Sequence, residues 1–108
     1  MPSLLHLQKD GVLEKHQLEG NDPSTRSFNR TVVIARIAKL YVASTIYEDL
    51  KVQSGSHSTV IAAISDLVHR LSEFGFTNMR TRLNFRGKAY LAEKKPWVDH
   101  YPTDTAQS

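Results

Sequence analysis

Asn29-Arg-Thr-Val-Val-Ile-Ala-Arg-Ile-Ala-Lys-Leu-Tyr-Val-Ala-Ser-Thr-Ile-Tyr-Glu-Asp-Leu50 is the stretch on which the fold turns. It is longer than an ordinary strand, and its polar residues Arg36 and Lys39 fall three apart rather than two, which is helical spacing. Its Val and Ile content is a strand signal and pulls the other way. Length and charge spacing together predict a helix, with Ser27 or Asn29 placed to cap it by accepting from the first free amides. On such a helix Val33, Ile37, Leu40, Tyr41 and Tyr47 share one face, while Ile34, Ala38, Val42 and Ile46 widen the apolar surface almost all round. A helix of that kind needs cover on more than one side, so it is expected at the centre of the core or in a homodimer formed through residues 29–50.

On the N-terminal side, Glu19 to Ser27 gathers turn formers without apolar residues and predicts a loop. Before it, Leu4 to Leu18 carries two short apolar patches around Asp10-Gly11, a dipeptide suited to a tight hairpin turn; an irregular arm is the competing reading. On the C-terminal side, Lys51 to His57 is a break. Val60, Ile61, Ile64, Leu67, Val68 and Leu71 then recur on one helical face and predict a helix over 58–74. Ser56 or Ser58 can cap its start, and Gly75 stands where a left-handed C-terminal residue is wanted.

After Gly75 the period shortens to two. Met79, Thr81, Leu83 and Phe85 alternate with Arg80, Arg82, Asn84 and Arg86, a half-buried strand with its arginines on one face. Asn84-Phe-Arg-Gly87 fits a type I turn, and Lys88 to Ala92 the return strand. From Lys94 two prolines and a polar end predict an irregular tail, with Trp97, Val98 and Tyr101 available to tie its first part down. The expected architecture is therefore α+β: an N-terminal hairpin, two principal helices at about 29–50 and 58–74 packed on short antiparallel hairpins, and a basic hairpin near 78–92. One domain over 1–95 and a tail at 96–108 complete it.

Composition narrows the function classes. Of 108 residues, 40% are hydrophobic and 23% charged, as in ordinary globular proteins. The absence of cysteine removes disulfides, thiolate metal sites and cysteine nucleophiles, and makes the cytoplasm the default compartment. Neither secretion nor membrane insertion is expected, because the N-terminal residues show no cationic start with a long apolar core and no run is long enough to span a bilayer. The net charge of +3 is small, but Arg80, Arg82, Arg86, Lys88, Lys94 and Lys95 face only Glu93 between Asn78 and Lys95. The basicity is local.

The sequence holds no reactive constellation. The five histidines show no i, i+3 or i+4 pair among themselves, so no metal site is expected, and His69 is assigned a local bond to Asp66. Glu48-Asp49 lacks a partner carboxylate, Ser65 and Ser72 lack a nucleophile elbow, and Gly55 and Gly87 stand alone. No catalytic residue, metal or cofactor is assigned, and the chain is expected not to be an enzyme. The basic hairpin remains: its arginines can grip phosphates bidentately, and Phe85 and Tyr90 offer planar groups for bases or sugars. The plainer reading is a solvated outer strand face with both rings packed inward.

Ile64-Ser-Asp-Leu-Val-His-Arg-Leu-Ser-Glu-Phe-Gly-Phe76, followed by Arg80-Thr-Arg-Leu-Asn-Phe-Arg-Gly-Lys-Ala-Tyr-Leu91, resembles the C-terminal part of winged helix-turn-helix domains, where a recognition helix enters a basic wing. The resemblance implies a winged-helix-like fold in which Arg80, Arg82, Arg86 and Lys88 are wing contacts and Ser58, Thr59 and Ala62 face the DNA groove. Two functions are expected from these observations. One is a small nucleic-acid-binding regulator that holds phosphates through the hairpin; the other is an interaction or assembly factor docking an acidic protein surface.

Overall fold

A computed structural model describes residues 12–86 and 89–100 of the chain. Residues 29–50 are not a helix. They form most of β2 (Ser27–Ile37), all of β3 (Leu40–Tyr47) and the first residue of β4 (Leu50–Gln53). The turn between β2 and β3 is what the residue types conceal. Ala38 and Lys39 have φ of 51° and 72°, and positive values at both central residues mark the primed hairpin turn that Asn-Gly usually fills. The three-residue interval from Arg36 to Lys39 is thus a strand end plus half a turn, not a helical step. Between β3 and β4 the first central residue alone, Glu48 at φ 55°, is positive. The expected pair of principal helices on short hairpins gives way to a seven-stranded antiparallel sheet with, among the described residues, one helix, α1 (Val60–Glu73). The helix offered as a dimer face does not exist, and no helix precedes α1 among the described residues to complete a helix-turn-helix.

β1 (Val12–Asn21) lies inside the sheet between β2 and β5 (Thr77–Arg86). The strand order is β4-β3-β2-β1-β5-β6, where β6 is Ala89–Tyr90, and β7 (Val98–Asp99) pairs with β5 further along its length. The expected Asp10-Gly11 turn lies outside the described residues, as do Gly87 and Lys88 between β5 and β6. Part of the segment read as a tail is strand: Val98 pairs with Thr81, Asp99 with Arg80, and the His100 amide donates to the Met79 carbonyl at 2.8 Å.

α1 carries the chain from edge strand β4 across to β5, and it forms where the periodicity places it. Its cap is Thr59, whose hydroxyl accepts from the Ala62 amide at 3.1 Å, one residue beyond Ser58 and three beyond Ser56, the serines expected there. At its end Gly75 adopts φ 104°, the Gly75 amide donates to Ser72 and the Phe76 amide to Leu71, which is the Schellman pattern. Ala63, Ile64, Leu67, Val68 and Leu71 pack onto Leu18, Val32, Ile34, Ala43 and Val52 of the inner sheet face. Full burial of each large side chain there contributes about 1.5–3 kcal/mol. Phe28, Tyr47 and Phe76 close one end of the core, edge to face with centroids 5.3–5.4 Å apart.

Two carboxylates fix the connections. Asp22, buried after β1, accepts from the amides of Ser24 (2.8 Å) and Arg26 (2.9 Å), from Arg26 Nε (3.1 Å) and from Tyr47 Oη (2.6 Å). The Tyr47 hydroxyl, outweighing desolvation with help from Arg26 and the two amides, holds its pKa down at about 2. Asp66 on α1 pairs with Arg70 and His57 and accepts from the Gly55 amide, which pins the loop between β4 and α1. Arg70 first and His57 second keep it well below the usual carboxylate range. The bond assigned to His69 and Asp66 is absent; His69 lies 3.5 Å from Glu73 instead. No described helix is long and apolar enough to cross a membrane.

Candidate docking surface

Alternation along β1 and β5 decides what reaches the face of the sheet that no described element covers, the uncovered face. Leu18, Met79 and Thr81 point into the core, so Lys15, Gln17, Glu19, Arg80 and Arg82 point away from it. Register then sets opposite numbers side by side. Arg80 faces Glu19 and donates to it through Nε at 2.7 Å and through Nη2, while Arg82 faces Gln17 and donates to its Oε1 at 2.9 Å. Trp97, brought in by the pairing of β7, lies against both guanidinium groups, 4.5 Å from Arg80 and 4.2 Å from Arg82 to the ring centroid. These are cation–π distances, worth about 0.5–1 kcal/mol each where water reaches them.

A bulge ends the alternation. His16 pairs with Leu83 but Lys15 pairs with Phe85, so Asn84 is the extra residue and every side chain beyond it changes face. Phe85 therefore joins the outer face, where it meets Tyr90 edge to face at 5.0 Å and where the Lys15 ammonium lies 5.0 Å from Phe85 and 5.7 Å from Tyr90. Arg86 is sent to the opposite side, with Nε 3.4 Å from Glu14. The three arginines do not share one face.

The same outer face continues over β2 and β3 with a different chemistry. Val33, Ala35, Ile37, Leu40, Val42 and Ile46 project there, because the residues alternating with them, Val32, Ile34, Ala43 and Thr45, are buried. Ile37 is 48% and Ile46 58% exposed. The uncovered face thus has a cationic, aromatic half on β1 and β5 and an aliphatic half on β2 and β3.

Of the residues singled out from sequence, Arg80, Arg82 and Phe85 come together on this face, and Arg86 does not. Lys88 lies outside the described residues. Thr59 is occupied as the helix cap, and Ser58, exposed beside it, belongs with α1 on the covered side of the sheet. The sequence reading missed Trp97 as a partner of the arginines, and missed Lys15, Gln17 and Glu19. The alternation of those three with His16 and Leu18 was the available signal. Among the described residues no group of three or more potential ligands could hold a metal ion. Comparison with protein-family models, curated proteins and solved structures returns no match for this chain.

Proposed function

We propose that the chain is a non-enzymatic interaction module whose uncovered sheet face docks an acidic protein surface. The observation that carries this reading is the Arg80–Trp97–Arg82 stack. Trp and Arg are the residues that most often anchor protein interfaces, and here the ring holds both guanidinium groups in place before any partner arrives. Lys15 adds charge, and Ile37, Leu40 and Ile46 add apolar area on the same face.

Nucleic acid fits the arrangement less well. Arg86 is on the other side with Glu14, so the arginines do not line up to follow a phosphate backbone, and Trp97 is covered by cations on the surface where a base would stack. A pull-down with the full chain, with and without nuclease, tests the reading. A protein retained after nuclease, and lost with both Arg82→Glu and Trp97→Ala, is the expected result. Retention that disappears with nuclease, or duplex DNA binding that falls steeply with salt, would replace it with the phosphate-binding alternative.

A further inference from the structure

The covered side of the sheet is not filled evenly. α1 lies over β3 and β4, and the inner face of β5 near Thr81 and Leu83 is bordered by residues 95–100, which run along the edge of β5 as β7 and the segment before it. Between the helix, β5 and this edge segment is a cavity of about 300 Å3. This is the lower end of the range for small-molecule sites, which are mostly apolar with a few convergent polar groups.

Its walls are Ile61, Ile64, Leu83, Pro96 and Val98. Ile61 is 78% exposed although it sits on the helix turn that faces the cavity. The polar part is compact: His16, Thr81 and His100 line the cavity, and Thr81 Oγ1 lies 2.7 Å from His100 Nε2. Burial, more than the repulsion of His16, lowers the pKa of His100 against the pull of Asp99, which keeps its ring in the neutral, hydrogen-bonding form. Of the charged residues at the lining, Arg82 turns its guanidinium to the outer face against Trp97, which leaves Lys95, and no carboxylate is among them. Glu14, the nearest acid to His16, is bonded to His16 Nε2 at 2.8 Å and paired with Arg86, so its charge is matched already.

An apolar body is favoured by the walls and an anionic end by the lining. We propose that the cavity binds a small apolar monocarboxylate, its ring or short acyl chain against Ile61, Ile64 and Leu83 and its carboxylate held by Lys95 with the His16, Thr81 and His100 group. A primary amine of the same shape has no carboxylate to meet, and a neutral amide forfeits the charge on Lys95.

NMR titration of the isotope-labelled full chain with benzoate, benzamide and benzylamine tests this. Saturable shifts with benzoate at the amides of Ile61, Ile64, Leu83 and His100 are expected, with benzamide and benzylamine at least about tenfold weaker, a difference of about 1.4 kcal/mol. Ile61→Trp, at an exposed position, should abolish benzoate binding with Tm unchanged. Lys95→Gln should weaken benzoate several-fold and leave benzamide as it was. Equal binding of benzylamine, benzoate shifts that survive Ile61→Trp, or no saturable shift with benzoate overturns the proposal.

Discussion

The two faces of the sheet are built from the same strands and do different work. In β2, Val32 and Ile34 are sealed against α1 while Val33, Ala35 and Ile37 stand on the side that no described element covers. Strands apolar on both faces are usual where a sheet is covered twice. Here the described chain covers it once. The stability of the domain therefore resides on the inner face, and the outer face can be altered at little structural cost.

The sharpest way to break that contrast is to remove the same side chain from each face. Ile34→Ala, fully buried, should cost about 2–5 kcal/mol in chemical denaturation. Ile46→Ala, on the outer face, should stay within about 0.5 kcal/mol and instead reduce partner retention. Equal losses at the two sites would mean that the outer face is covered after all. A smaller effect is expected at Gly20, where β5 crosses the inner side so closely that an added Cβ would lie 2.7 Å from the Thr77 carbonyl oxygen and 3.1 Å from that of Asn78. The contacts are backbone, so Gly20→Ala should cost about 1–3 kcal/mol.

Acid should act on the connection between β1 and β2, at Asp22. The Asp22 carboxyl is held at about 2 against an ordinary 3.8, so its contribution is complete above about pH 4 and lost as pH falls towards 2. Thermal melts of wild type between pH 4 and 2 should fall in Tm, and Tyr47→Phe, which removes the main cause of the shift, should flatten that fall. The smallest change sharpens the comparison from the turn that joins the two faces' strands. Ala38→Asn with Lys39→Gly relieves two positive φ angles and should stabilise by about 0.5–1 kcal/mol, with partner retention unaltered.

Legibility followed the physics of each element. α1 was readable because period, cap region and Gly75 agree along one continuous segment. The alternation of β5 was readable as far as Leu83, but the bulge at Asn84 has no residue type that requires it, and it reverses the side on which Phe85 and Arg86 emerge. β2 and β3 were misread because Ala38 and Lys39 are not turn formers and both strands are apolar on two faces, which imitates a helix apolar all round. The cationic half of the docking face was visible as Arg80 and Arg82. Their clamp on Trp97 was not, since it depends on a two-residue strand whose pairing is decided across the sheet. The cavity depends in the same way on where residues 95–100 come to rest.

The interior position of β1 governs the order of assembly. One of its edges is satisfied at once by β2, but the other waits for β5, and the bond from Arg80 to Glu19 spans 61 residues of chain. At a synthesis rate of roughly 5–20 residues per second, that edge stays open for several seconds on the ribosome. An open strand edge is a template for wrong pairing, and alternate charges such as Lys15 and Glu19 are a known deterrent. The closure of so long a loop also places the domain among slow folders, with refolding in milliseconds to seconds rather than microseconds. β1 is thus made long before the strand that completes it, and Lys15 and Glu19 guard its open edge until β5 arrives.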